Sequence, residues 1–351
     1  MERVVFRIID ANFNRAREAA RLMEEYCRFG LNCSDLAGRC KQLRHQICAA
    51  VQKLDTGMLI AGRDVARDVG RGMRVAGQLG RANLQDSFTA AAKRLTEALR
   101  VLAETTQTIN PPVGQTFEQL RFAAYTLEKD VLIFSSAREK FTAVRLYVLV
   151  NAGRDISDSE VFNLVECCAA GGADCIQLRA KGISDRRTFE LAAEFVKVCK
   201  DADVISIIND RVDIAAAVGA DGVHLGREDL PPEQARRMQF VPMIFGLTTH
   251  SACQLKAAIA ERADYVSLGP VFATSTKPNL ETAGLEYVTE ATQLLKDTGI
   301  GHVAIGGITH DNVDHVLKAG AEAVAVCSAV AQAPDPEQMC KKLKNKIIAR
   351  K

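Results

Sequence analysis

Tryptophan is absent from the 351 residues, and Phe and Tyr bring the aromatic share to only 5%. Proteins that hold single-stranded nucleic acid stack bases on exposed rings, so nucleic acid is not expected as a partner. No apolar run approaches the roughly 18 residues that a membrane-spanning helix needs, so no membrane partner is expected either. The N-terminus, Met1-Glu2-Arg3-Val4-Val5-Phe6-Arg7, has neither an apolar core nor a small-residue cleavage site, which speaks against a signal peptide. A soluble, cytoplasmic chain is expected. Cys-x-x-Cys is missing, although there are 11 cysteines, an odd number at scattered spacing. Neither a disulfide framework nor a zinc site fits that pattern; small buried hydrophobes in a reducing compartment do. No Gly-x-Gly-x-x-Gly follows a strand-like run, which weighs against a dinucleotide fold.

What is present has globular proportions, with 48% hydrophobic and 25% charged residues. At roughly 100–200 residues per domain, the length predicts two domains. The formal charge of +2 conceals an asymmetry. Residues 1–140 hold 22 Lys and Arg against 16 Asp and Glu, while residues 141–351 hold 23 against 27. Two modules with different electrostatic tasks fit this split, which is too mild for a DNA-binding arm.

From about residue 142, short β-rich runs alternate with helical ones. The strand-like runs are Leu146–Asn151, Cys175–Ala180, Val204–Asp210, Gly222–Gly226, Met243–Thr249, Tyr265–Val271, His302–Ile308 and Ala323–Val330. Most are continuously apolar, as buried parallel strands are. Helical patterns sit between them, such as Ser159–Ala170, Arg187–Cys199, Ala252–Glu261 and Glu286–Asp297. The fold expected is α/β: a (β/α)8 TIM barrel over 141–351, preceded by an all-α helical domain over 1–140. An open doubly wound sheet is the alternative.

The helical part carries an internal repeat. Arg15-x-x-Glu18-Ala19-x-Arg21-Leu22-Met23-x-Glu25 is echoed by Arg94-x-x-Glu97-Ala98-x-Arg100-Val101-Leu102-x-Glu104. Each copy leads to Gln-Leu-Arg, at Gln42-Leu43-Arg44 and Gln119-Leu120-Arg121. Charges at i, i+3 and i+4 share a helix face, so salt-bridged amphipathic helices explain the pattern; related hairpins with their Arg residues around a shared pocket would as well. Between the copies, the alternating charges of Arg63-Asp64-Val65-Ala66-Arg67-Asp68-Val69-Gly70 suit a loop that handles phosphate and Mg²⁺, or plain surface charge. The hinge is expected near Lys129–Phe141, and Pro111-Pro112-Val113-Gly114 is expected as a loop.

In a (β/α)8 barrel the chemistry collects where the strands end. The second predicted strand ends in Gln177-Leu178-Arg179-Ala180-Lys181 and the third in Asn209-Asp210; the fourth leads to Arg227-Glu228-Asp229. The fifth ends in Thr248-Thr249-His250, the sixth is followed by Thr274-Ser275-Thr276-Lys277, and the last two carry Gly306-Gly307 and Ser328. Arg179, Lys181 and Lys277 could hold a polyphosphate. Asp210 and Asp229 are hard oxygen donors suited to Mg²⁺. Gly306-Gly307 lets backbone amides approach a second phosphate. One basic, metal-bearing end and one glycine-lined end imply two phosphorylated small-molecule substrates. His224, His250 and His302 lack metal-ligand spacing, and His224 reads as a core histidine.

These residues bring residues 142–351 into close resemblance with the thiamine-phosphate synthases. The matching stretches are Gln177-Leu178-Arg179-x-Lys181, Ile208-Asn209-Asp210-Arg211-Val212-Asp213, Ala220-Asp221-Gly222-Val223-His224-Leu225-Gly226-x-Glu228-Asp229, Asp264–Phe272, Thr274-x-Thr276-Lys277 and Ala304-Ile305-Gly306-Gly307-Ile308. The resemblance implies condensation of hydroxymethylpyrimidine diphosphate with hydroxyethylthiazole phosphate, Mg²⁺-dependent, by a route in which diphosphate leaves first. It implies that Gln177, Arg179, Lys181, Asn209, Thr248 and Lys277 hold the pyrimidine diphosphate. It assigns Asp210 and Asp229 to Mg²⁺, and Thr274, Thr276, Gly307, Cys327 and Ser328 to the thiazole phosphate. Arg227, Thr248, Ala273 and Cys327 depart from the family's usual Gln, Ser, Pro and aliphatic residue, and none removes a phosphate or metal ligand.

Residues 1–140 resemble a helical module that accompanies this synthase in some bacteria and is described as a hydroxymethylpyrimidine phosphate kinase. The match rests on Ile9-Asp10-Ala11-Asn12-x-Asn14-Arg15-Ala16-Arg17-Glu18, Leu43-Arg44-His45, Arg63-Asp64-x-x-x-Asp68-Val69-Gly70 and Glu97–Leu102. It makes Asn12, Arg15, Arg44, Asp64 and Asp68 the candidates there and implies ATP as co-substrate, although no glycine-rich nucleotide loop is visible. A tautomerase-like barrel and a helical module serving association or regulation are the alternatives. A homo-oligomer stays open.

Overall fold

The computed structural model describes residues 2–70, 73, 80–238, 242–274 and 281–349. The chain divides into two compact units, Met1–Ile133 and Phe134–Lys351.

The first unit is helical: α1 (Glu2–Glu25) ends in a π-helical turn (Tyr26–Gly30), followed by α2 (Ser34–Val51), α3 (Thr56–Ala61), α4 (Leu84–Gln107) and the start of α5 (Pro111–Thr142). The apolar stripe Phe6, Ile9, Ala16, Ala19, Ala20 and Met23 of α1 is buried, as are Phe88, Ala91, Leu95, Ala98, Leu99 and Leu102 of α4. Spacings of three and four residues put each set on one helix face, and α1 packs on α4 through them. The two repeat copies share this register, for Ala19 and Met23 are buried like Ala98 and Leu102. Their arginines are engaged in ion pairs: Arg21 with Glu24 and Glu25, Arg100 with Glu104 and Glu118.

Pro111-Pro112 corrects an expectation. It opens α5 rather than forming a loop, and α5 continues through the expected hinge. Proline suits the first helical turn, where its missing N–H would have had no intrahelical partner.

The second unit contains eight parallel strands closed in the order β1 (Leu146–Ala152), β2 (Cys175–Ala180), β3 (Ile205–Asn209), β4 (Gly222–Leu225), β5 (Ile244–Thr249), β6 (Tyr265–Leu268), β7 (Gly301–Ile305) and β8 (Val324–Val326). The intervening helices include α6 (Asp158–Ala170), α7 (Asp185–Asp201), α8 (Val212–Val218), α9 (Pro232–Arg237), α10 (Ala252–Ala260), α11 (Gly284–Leu295), α12 (Val313–Lys318), α13 (Ser328–Ala331) and α14 (Pro336–Ile348). Three strand readings overran their carboxyl ends by three or four residues, the seventh stopping at Ile305 rather than Ile308. The sixth stops at Leu268, before Pro270, which has no N–H for a ladder. The eighth stops at Val326, and Ser328–Ala331 turns helical.

Alternate strand residues face opposite ways. Val148, Val150, Ile176, Leu178, Ile208, Val223, Leu225, Phe245, Leu247, Val266 and Leu268 belong to one apolar core with the helices. The other parity carries Tyr147, Gln177, Arg179, Asn209, His224, Thr248 and Ser267, which line the barrel's cavity. Three aspartates just before even-numbered strands stitch the opposite end. Asp174 accepts from the Leu146 N–H at 2.9 Å, Asp221 from Ser206 at 2.9 Å, and Asp264 from Phe245 at 2.8 Å.

Candidate active site

The cavity at the carboxyl ends of the strands has a volume of about 690 Å³. Pockets of this size hold a drug-sized ligand or two smaller ones.

One rim comes from β2, β3 and the segment after β4. It brings together Arg179, Lys181, Asn209, Asp210, Arg227 and Asp229. Asp210 follows β3 in a left-handed conformation, φ 63°, and its N–H donates to the His224 carbonyl at 2.8 Å. Asp and Asn tolerate that region better than most residues, and here it turns the carboxylate into the cavity. The Lys181 ammonium donates to the Asp210 carboxylate. Asp229 accepts from the Gly226 N–H at 2.6 Å. Burial, then a hydrogen bond with the Asp210 carboxyl, pushes Asp229 above the usual carboxylate range. At Asp210 burial acts in the same direction, but the hydrogen bonds with Asp229 and Lys181 outweigh it and hold Asp210 low. Two carboxyls facing one cavity from adjacent strands form a natural seat for a divalent cation. Among the described residues no three His, Cys, Asp or Glu side chains form a metal cage. Mg²⁺ needs none, because it keeps waters and takes phosphate oxygens beside one or two carboxylates, so Asp210 and Asp229 fit it.

The other rim comes from the segments after β6, β7 and β8: Thr274, Gly306, Gly307, Cys327 and Ser328. Gly307 has φ 61°, and a Cβ there would overlap the Ala273 carbonyl oxygen, so glycine is required by both conformation and space. Asn151 at the end of β1 joins the rims. It accepts from Arg179 at 3.4 Å and donates to the Cys327 sulfur at 3.2 Å. Thr276 and Lys277 lie outside the described residues.

A hydrogen-bonded chain crosses the floor. Gln177 Nε2 donates to the Tyr147 hydroxyl at 2.7 Å, which meets the Tyr265 hydroxyl at 3.0 Å. The Tyr265 hydroxyl also lies 3.0 Å from His224 Nδ1, and His224 Nε2 lies 3.0 Å from Thr248 Oγ1. Deep burial pushes the Tyr147 and Tyr265 hydroxyls well above the usual phenol range, so both stay protonated. His224 is thus a buried, bonded histidine that also lines the cavity. Sequence reasoning missed Tyr147, Asn151, Tyr265 and Ser267; the available signal was polar side chains sharing one parity inside apolar strand runs.

The helical-module candidates do not converge in the same way. Asn12 is buried and donates to the Ile8 carbonyl at 2.9 Å, and Arg15 reaches Asn12 at 3.5 Å. Arg44 pairs with Glu24 at 3.0 Å. Asp64 and Asp68 accept from the backbone N–H groups of Arg67 and Gly70 at 3.1 and 2.9 Å, inside their own loop. Asp10, which the sequence reading did not single out as a candidate, anchors that loop through two bonds from Arg63, at 2.7 and 2.8 Å.

Known proteins resemble both units. A family model described as "Thiamine monophosphate synthase" matches residues 146–330, and one described as "ThiD2 family" matches residues 7–130. The thiamine-phosphate synthase of Nostoc sp. (strain PCC 7120) is 39% identical over 336 residues, covering 96% of this chain and 92% of the relative. That of Synechocystis sp. (strain PCC 6803) is 38% identical over 334 residues, covering 95% and 94%. The solved thiamine phosphate pyrophosphorylase from Pyrococcus furiosus aligns with a TM-score of 0.53 at 33% identity, over 60% of this chain and 98% of that one.

Proposed function

The chain belongs to the thiamine monophosphate synthase family, and from that premise we propose how its barrel performs the synthase reaction. The carbon–oxygen bond between the pyrimidine's methylene group and the diphosphate breaks first, and the electron pair leaves with the diphosphate. The thiazole nitrogen then donates its lone pair to the pyrimidine-methyl cation, giving thiamine phosphate.

The observation that carries this reading is the cavity's two unlike rims. Arg179 and Lys181 hold the leaving diphosphate, where their fixed positive charge stabilises the negative charge that grows as the bond breaks. Asp210 and Asp229 would hold Mg²⁺, which when bound would supply further charge stabilisation there. Gln177, Asn209 and Thr248 orient the pyrimidine, and Lys277 adds a cation to the diphosphate. Thr274, Thr276, Gly307, Cys327 and Ser328 hold the thiazole phosphate, so that the ring nitrogen faces the reacting carbon. Proximity does much of the work, since the step needs no general base.

The helical unit is inferred to phosphorylate hydroxymethylpyrimidine phosphate with ATP, which supplies the barrel's substrate. The match to the ThiD2 family model supports this. Two assays of the full-length protein test the two readings. With both phosphorylated substrates and Mg²⁺, thiamine phosphate and diphosphate should appear in equal amounts. With hydroxymethylpyrimidine phosphate and ATP alone, ADP and the pyrimidine diphosphate should appear; no ADP from folded protein would contradict the kinase role.

A further inference from the structure

The barrel's floor is held from below by a residue that precedes the first strand. Phe141, in the last turn of α5, is buried in the barrel's own unit. Its ring stacks on Tyr265, with centroids 4.2 Å apart and planes inclined by 31°. Two glycines make room for this pair. A Cβ on Gly301 would meet the Phe141 ring at 3.1 Å, and one on Gly246 would overlap the Tyr265 ring. Tyr265 in turn is the centre of the floor chain, bonded to Tyr147 on one side and His224 on the other. The chain ends at Gln177 and Thr248, two of the residues placed above on the pyrimidine substrate.

We propose that Phe141 is a positioning residue for the pyrimidine side of the synthase site, acting through Tyr265. Phe141 acts by restraint. The Tyr265 hydroxyl must meet two partners at hydrogen-bond distance, and its ring has glycine, not a side chain, beside it at position 246. Phe141 closes the remaining face. Without it the ring gains room to tilt, and buried packing relaxes only partly around a lost side chain. A tilt of the ring swings the hydroxyl away from Tyr147 and His224, which loosens Gln177 and Thr248. The hydrogen-bonded chain from Tyr265 leads to Gln177 and Thr248, both on the pyrimidine side, so the effect is selective. It also follows that the end of α5 is part of the synthase site, although it lies outside the barrel's strands. This inference rests on the function proposed above.

The test uses the full-length chain and steady-state kinetics with each substrate varied in turn. Phe141→Ala should raise KM for the pyrimidine diphosphate about tenfold while KM for the thiazole phosphate stays within about twofold. Tyr265→Phe keeps the stacked ring and removes the hydroxyl, and should give the same split. The double variant should be no worse than the more impaired single variant, because both act through one hydroxyl. Phe141→Leu, which keeps most of the buried volume, replaces Phe141→Ala if that variant is insoluble, with the same split expected at smaller size. Equal changes in both KM values, no change in either, or additive effects in the double variant would overturn the proposal. A wild-type chain without synthase activity would instead contradict the proposed function.

Discussion

The hydroxyls of Tyr147 on the first strand and Tyr265 on the sixth meet 3.0 Å apart inside the closed barrel. Neither side chain reaches water, so the bond between them and the one from Gln177 satisfy groups that are costly to leave unpaired. Tyr147→Phe removes the acceptor for the buried Gln177 amide. The variant is expected to lose about 1–3 kcal/mol of barrel stability, read as a lower denaturant midpoint for the barrel's transition. Its affinity for the pyrimidine substrate should fall as well. A midpoint equal to wild type would mean that Gln177 finds another partner.

The Asp210–Asp229 pair predicts a pH-dependent metal site. Burial and the Asp210 hydrogen bond raise Asp229, so without metal the pair keeps a proton to higher pH than an ordinary aspartate would. Mg²⁺ needs both carboxylates ionised and therefore displaces that proton. Mg²⁺ affinity should rise with pH through Asp229's raised pKa and level off above it. It should fall as pH drops through the same range. Calorimetry in buffers of different ionisation enthalpy should show proton release on the acid side. Asp229→Asn should abolish the release and weaken Mg²⁺; pH-independent affinity in the wild type would contradict the assignment.

Gly307→Ala is expected to distinguish the two substrates. Gly307→Ala places a methyl group against the Ala273 carbonyl at a positive φ, which costs on the order of 1–3 kcal/mol of strain wherever it is relieved. KM for the thiazole phosphate should rise at least tenfold, while the pyrimidine diphosphate binds nearly as before. Equal effects on both substrates would place Gly307 outside the thiazole rim.

In the helical unit, Arg63 fastens the charged 63–70 loop to α1 through the buried Asp10. Arg63→Ala removes both of those short bonds and leaves the carboxylate with Asn14 Nδ2 at 3.4 Å. Because Arg63 is half exposed and water can reach the gap, a loss of about 1–3 kcal/mol is expected rather than the full penalty of a buried ion pair. Cleavage by trypsin after Arg67 should become faster. An unchanged cleavage rate would mean that the loop is held by other contacts.

The barrel was legible because the outward parity of its strands is mostly apolar, with Ser206, Thr249 and His302 the polar exceptions, and because the same polar residue types recur where strands end. One further signal in the sequence went unused. Ala-Asp or Ala-Glu precedes each even-numbered strand, at Ala173-Asp174, Ala220-Asp221, Ala263-Asp264 and Ala321-Glu322. The three aspartates bond the backbone of the preceding strand, so the motif marks strand starts. The floor network was only half legible: Tyr147, His224 and Tyr265 stand out as polar residues within apolar runs, but only the closing of the sheet brings strands one, four and six together. Pro111-Pro112 misled for a local reason, since the dipeptide starts a helix as readily as it marks a loop. In the helical unit the repeat's charges were visible, but ion pairing absorbs Arg21, Arg44 and Arg100.

In the proposed reaction one cavity joins two phosphorylated substrates by displacement of diphosphate. Its most direct test is a time course with the purified full-length chain, hydroxymethylpyrimidine diphosphate, hydroxyethylthiazole phosphate and Mg²⁺, with thiamine phosphate and diphosphate both quantified. The two products should rise in a 1:1 ratio, omitting either substrate should stop thiamine phosphate formation, and Asp210→Ala should slow it at least a hundredfold. No thiamine phosphate from folded, Mg²⁺-supplied wild-type protein would contradict the proposed reaction.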